Sequence, residues 1–133
     1  MRHPSLAAVV LIVATFFAAL TVQAQSVSQR VNVPFKFNLA DKAYPAATYF
    51  IRYDGATDTV EFLGNGKNML ARTKVITKLA LAPGARSDGK VRLVFDQVGE
   101  ERYLSEVWMP GAEGLLLRAT SERHKHETVD SSN

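Results

Sequence analysis

Apolar and polar residues alternate along most of the chain after residue 27. In "RVNVPFKFNL", Val31, Val33, Phe35, Phe37 and Leu39 fall on one side of an extended backbone, because successive side chains of a strand point to opposite faces. Pro34 has no N–H to give to a ladder, so the pattern predicts an edge strand or a bulge there. "ADKAYPAA" reads as a turn. "TYFIRY" reads as a second strand, with Tyr49, Ile51 and Tyr53 opposed to Phe50 and Arg52.

"TVEFLGNGKNML" carries the sharpest local signal. Asn65-Gly66 is the dipeptide favoured by a two-residue type I′ hairpin, and closure by Gly64 and Lys67 would set Phe62 opposite Met69 and Val60 opposite Ala71. "NMLARTKVITKLALA" fits one or two strands, because Val75, Ile76 and Thr77 are β-branched. "PGARSDGK" is a loop. "VRLVFD", "RYLSEVWM" and "LLLRAT" are strands, with "PGAEG" breaking the chain between the last two. The result is an all-β domain, an antiparallel β-sandwich or small β-barrel of about seven to eight strands. "SERHKHETVDSSN" is polar and lacks periodicity, which predicts a disordered tail over 121–133.

The hairpin "VFDQVGEERYLSEVW" admits two registers. A two-residue loop Gly99-Glu100 suits a type II′ turn and sets Phe95 opposite Leu104, Leu93 opposite Glu106 and Val91 opposite Trp108. Glu106 then points into the core and needs a partner such as Arg52, Arg72 or Arg118. A three-residue loop slips every pair by one, so that Leu93 faces Val107 and Glu106 faces Val94 on a solvated face. Turn chemistry favours the first register.

The first 24 residues differ from the rest. Arg2 precedes an apolar run from about Leu6 to Val22, and Val22-Gln23-Ala24 offers small residues to a signal peptidase. This predicts a signal peptide over 1–24, a single β-domain over 25–120, and export to the periplasm or beyond the cell. The membrane is then met only through the uncleaved signal. The whole chain carries a net charge of +3 without a basic run, which argues against a nucleic-acid partner. It has no cysteine, so packing must hold the exported fold without disulfides.

"VNVPFKFNLADKAYPAATYFIR" followed by "VRLVFDQVGEERYLSEVWMPG" resembles a family of small, uncharacterised bacterial secreted β-proteins with no assigned activity. The pattern runs V-P-F-x-F, then D-K-x-x-P-A-G-x-Y, then L-V-F-x-x-x-G-x-x-Y-x-L-x-x-V-W-x-P-G. The resemblance covers nearly all of the chain after the signal and implies export and a compact β-fold. Ala47 stands where the family usually has glycine, and Asp96 where it often has histidine.

Candidate chemistry is sparse. Beyond the signal, histidines occur only in "ERHKHE", where Glu122, His124, His126 and Glu127 are read as a solvated tail, so no metal or other cofactor is expected. A Ser-His-Asp arrangement lacks its base, and a carboxylate pair such as Glu61 with Glu106 is a weak signal. The sequence therefore favours a secreted, non-enzymatic module that binds a small ligand, a glycan or an envelope protein. The candidate binding residues are Tyr103, Glu106 and Trp108. The alternative is a carboxylate-dependent hydrolase acting on an envelope or extracellular glycan.

Overall fold

The computed structural model describes residues 28–81 and 89–132. The predicted signal peptide and most of the loop at 83–90 lie outside the described residues. Among those described there is no helix long and apolar enough to cross a membrane.

Among the described residues, eleven strands form two sheets, more than the seven or eight predicted because the expected Val31–Leu39 strand is divided, β3 forms within the predicted turn and β11 within the predicted tail. One sheet has four strands in the order β1 (Gln29–Val33), β4 (Ala47–Asp54), β5 (Thr59–Leu63) and β6 (Met69–Lys74), all antiparallel. The larger sheet runs β11 (Lys125–Asp130), β8 (Arg92–Val98), β9 (Glu101–Trp108), β10 (Gly114–Leu116) and β7 (Thr77–Leu79). The short β2 (Phe37–Leu39) joins it through one parallel pair, Asn38 with Tyr103, and pairs antiparallel with β3 (Lys42–Tyr44). The architecture is an all-β sandwich rather than a closed barrel.

The division has a physical cause. The run predicted as one strand from Val31 to Leu39 breaks at Pro34, which cannot donate to a ladder. The chain leaves β1, at the edge of the smaller sheet, and enters β2 in the other sheet. Both segments keep their inward side chains: Val31 and Val33 are fully buried, and Phe37 and Leu39 nearly so. A second crossing follows β6. Val75 is buried there, and its N–H donates to the Asp58 carbonyl while that of Ile76 donates to Leu116. β6 and β7 therefore belong to different sheets.

Inward residues of the two sheets meet in one core. Tyr49, Ile51, Val60 and Phe62 face Phe37, Leu93, Phe95, Leu104 and Val107 across it. Phe37 is its aromatic centre, edge-on to Tyr49 at 5.4 Å and to Phe95 at 5.4 Å between ring centroids. Tyr49 donates its hydroxyl to the Pro45 carbonyl, which satisfies the polar end of a buried ring. Burial pushes the Tyr49 phenol above its usual range, with nearby Tyr44 adding to the shift. Ala47 lies in β4 without positive φ, so the absent glycine strains nothing there. The left-handed residue is Ala40, at φ 53°, between β2 and β3.

The Asn65-Gly66 turn forms, but not as a type I′ hairpin. Lys67 N–H bonds the Gly64 carbonyl at 2.8 Å, and the positive φ falls on Lys67 at 60°. This is a three-residue loop ending in a left-handed residue. A register shift at Phe62/Leu63 then pairs Leu63 with Met69, Phe62 with Ala71 and Val60 with Thr73, in place of the predicted pairs.

The tail expected to be disordered contains β11. Its six residues pair with β8 from Lys125–Gln97 to Asp130–Arg92. "KHETVD" alternates after all: Glu127 and Val129 are half-buried, while His126, Thr128 and Asp130 face outward. Arg92 clamps Asp130 at 2.8 and 3.1 Å, and Arg102 holds Glu127 at 2.7 Å.

Candidate functional site

The β8–β9 hairpin carries the site, and both of its proposed registers exist in it. Val98 pairs with Glu101 across the tight Gly99-Glu100 turn, Gly99 taking the positive φ of 61° that type II′ requires. Phe95 faces Leu104, as the tight turn predicts. A bulge then intervenes between Val94 and Phe95, so that Val94 pairs with Glu106, Leu93 with Val107 and Arg92 with Trp108. The extra residue is Ser105. A bulge places two residues of one strand opposite one of its partner and re-aims the side chains beyond it. Leu104 and Val107 both enter the core, and Glu106 is turned outward.

The expectation that Glu106 points into the core is thereby corrected. Its suggested arginine partners are engaged elsewhere. Arg52 and Arg72 both bind Glu61, on neighbouring strands of the smaller sheet, and Arg118 lies over the Tyr103 ring at 4.0 Å. Glu106 instead accepts the indole N–H of Trp108 at 2.8 Å. These two residues are two apart on β9 and share its outer face.

Trp108 is held on a second side. Its cross-strand partner is Gly114 of β10. A Cβ built on Gly114 would lie 2.6–2.7 Å from three carbons of the six-membered indole ring. The ring thus rests on bare backbone, which only glycine leaves open at this pair.

Beside this fixed ring the outer face of the larger sheet opens into a groove of about 500 Å³. Val94, Trp108, Met109, Pro110 and Leu81 supply apolar walls, with Glu106, Arg92, His126 and Thr128 as polar groups. This volume lies in the range of about 300–1,000 Å³ typical of small-molecule sites. Of the residues singled out in the sequence, Glu106 and Trp108 line the groove; Tyr103 does not, its ring being covered by Arg118.

A polar cluster adjoins it. Asp96 is 3 % exposed. His126 Nδ1 lies 2.9 Å from Asp96 Oδ1 and His124 Nε2 3.8 Å from the same atom. The Ser105 hydroxyl, turned outward by the bulge, lies 2.9 Å from Asp96 Oδ1 and 3.0 Å from the Val94 carbonyl. Sequence reasoning missed this cluster because it treated 121–133 as solvent-facing tail. The overlooked signal was the alternation of "KHETVD" with β-branched Thr128 and Val129. No family model, curated protein or solved structure matches the chain.

Proposed function

We propose that this protein is an exported, non-enzymatic β-domain that binds a small glycan in the groove beside Trp108. The observation that carries the reading is the fixing of Trp108, by Glu106 at its N–H and Gly114 beneath its ring, at the wall of an open groove. A flat indole offers a surface for the C–H face of a sugar ring, and the neighbouring carboxylate accepts hydrogen bonds from hydroxyls at the ring edge. Preorganisation of this kind lowers the ordering cost of binding. Export is supported by the signal-like first 24 residues, and membership of the small secreted β-family by the shared motif pattern. Hydrolysis is less well supported. Glu61 and Glu106 belong to different sheets, and each already has its own hydrogen-bond donors.

Trp108 is the chain's single tryptophan, so its fluorescence reports on the groove directly. Titration with a panel of soluble oligosaccharides is expected to shift its emission and to raise the melting temperature, since ligand at 100 times Kd stabilises by roughly 2.7 kcal/mol. Failure of every oligosaccharide to change either signal at millimolar concentration would refute the glycan reading.

A further inference from the structure

We propose that Asp96, His124 and His126 form a binding site for a divalent transition-metal ion of the zinc type. The three donor atoms lie within 4.8 Å of one another. A tetrahedral zinc ion, with bonds of about 2.0–2.2 Å, requires donors roughly 3.3 Å apart. The separations of 2.9 and 3.8 Å from Asp96 Oδ1 to the two imidazole nitrogens bracket that value, and the widest of the three donor separations, up to 4.8 Å, must close by about 1.5 Å through imidazole rotation to admit the ion.

The surroundings fit a ligand set better than a chance meeting of side chains. His124 Nδ1 lies 2.7 Å from the Glu122 carbonyl oxygen. A carbonyl only accepts, so Nδ1 carries the proton, and in the neutral ring Nε2 is left with its lone pair toward Asp96. A lone pair and a carboxylate oxygen facing each other repel, and either a proton on Nε2 or a metal cation shared by the two groups relieves that repulsion. The same imidazole-to-carbonyl bond orients the histidines of known metal sites. Asp96 has a second support, since Ser105 touches its Oδ1 from the bulge. Glu127, which the sequence also offers, turns to the other side of β11 and binds Arg102. The ligand set therefore combines β8 with the β11 segment and is not a chelate of the tail alone. Three protein ligands leave a fourth position open for water or a bound group. Because His126 also lines the groove, that position borders the space beside Trp108.

The test is a zinc chloride titration of the purified, tag-free protein, followed by calorimetry and thermal melting. The expected result is one ion per chain with micromolar or tighter affinity and a raised melting temperature. His124→Ala and His126→Ala should each weaken binding at least tenfold, and Ser105→Ala should weaken it less, as a positioning residue. Asp96→Asn should match the histidine variants. If it fails to fold, the histidine variants carry the test, because His126 lies on the edge strand β11 and His124 just before it, away from the core. Glu122→Gln, which leaves the backbone carbonyl in place, should bind as the parent does. Absence of stoichiometric binding, affinity unchanged in both histidine variants, or loss of binding in Glu122→Gln but not in Asp96→Asn would each overturn the proposal.

Discussion

Gly114→Ala tests whether the indole is held as described, because two effects predict opposite signs. Gly114 has no positive φ, so on backbone grounds alone alanine should stabilise by about 0.4–1 kcal/mol through the unfolded chain. The new methyl, however, would lie 2.6 Å from the Trp108 ring carbons, where comfortable carbon contacts are about 3.5–4.0 Å. The ring must retreat by roughly 1 Å, which is enough to carry its 2.8 Å bond to Glu106 out of the usual range of about 2.7–3.2 Å. Overpacking costs about 1–3 kcal/mol. The lost bond to a carboxylate adds at most about 1.5 kcal/mol at this half-exposed site. The net expectation is destabilisation by about 1–3 kcal/mol, a fall in melting temperature of roughly 4–15 °C for a domain of this size. The assay is a thermal melt together with the emission maximum and acrylamide quenching of Trp108, which should shift to the red and become more quenchable. A variant melting at or above the parent with unchanged emission would show that the ring is not pinned on Gly114.

Three further outcomes are expected. Glu61→Ala should cost about 2 kcal/mol in urea denaturation, because it strands Arg52 beside a nearly buried site, whereas Arg72→Ala, at a side chain 58 % exposed, should cost under about 1 kcal/mol; equal costs would contradict this ranking. Ala40→Gly should raise stability by about 1 kcal/mol, since it relieves alanine at φ 53°, and an unchanged melting temperature would count against strain there. Because the Tyr49 phenol is raised by burial, the unfolded chain releases that proton first. Stability is therefore full below about pH 10 and declines as pH rises through the folded value. Tyr49→Phe should flatten that decline in urea melts at successive alkaline pH values, and parallel curves for the two proteins would argue against Tyr49 as its source.

The parts of the fold that were legible in the sequence were those set by local chemistry. Period-two alternation identified the β class, and Gly99 fixed a tight turn whose first central position needs positive φ. What escaped was set by long-range packing. Nothing local in "YLSEVW" states that Ser105 bulges; both Leu104 and Val107 must reach the core, and only the opposing sheet makes that demand. Likewise Pro34 signals a break, but the crossing to the second sheet depends on where β2 finds a partner. Glu106 and Trp108 stand together on the groove wall because residues two apart on a strand share a face whichever face that is. Asp96 and His126 are brought together by the β8–β11 pairing, a contact no local pattern encodes.

The single parallel pair between Asn38 and Tyr103 has a kinetic consequence. The Asn38 amide also binds Glu101 and the Arg102 carbonyl, partners 63 and 64 residues away along the chain. The β4–β5–β6 and β8–β9 hairpins close over short loops, but docking β2 on β9 and β11 on β8 must wait for much longer loops to close. Sandwiches dominated by such pairings fold in milliseconds to seconds rather than microseconds. Most of the groove wall and Asp96 belong to the β8–β9 hairpin, but His126 and Thr128 at the groove and His124 beside Asp96 arrive only with the β11 segment. A chain in which β8 and β9 have paired but β11 has not docked would therefore carry Trp108 and Asp96 without the two histidines.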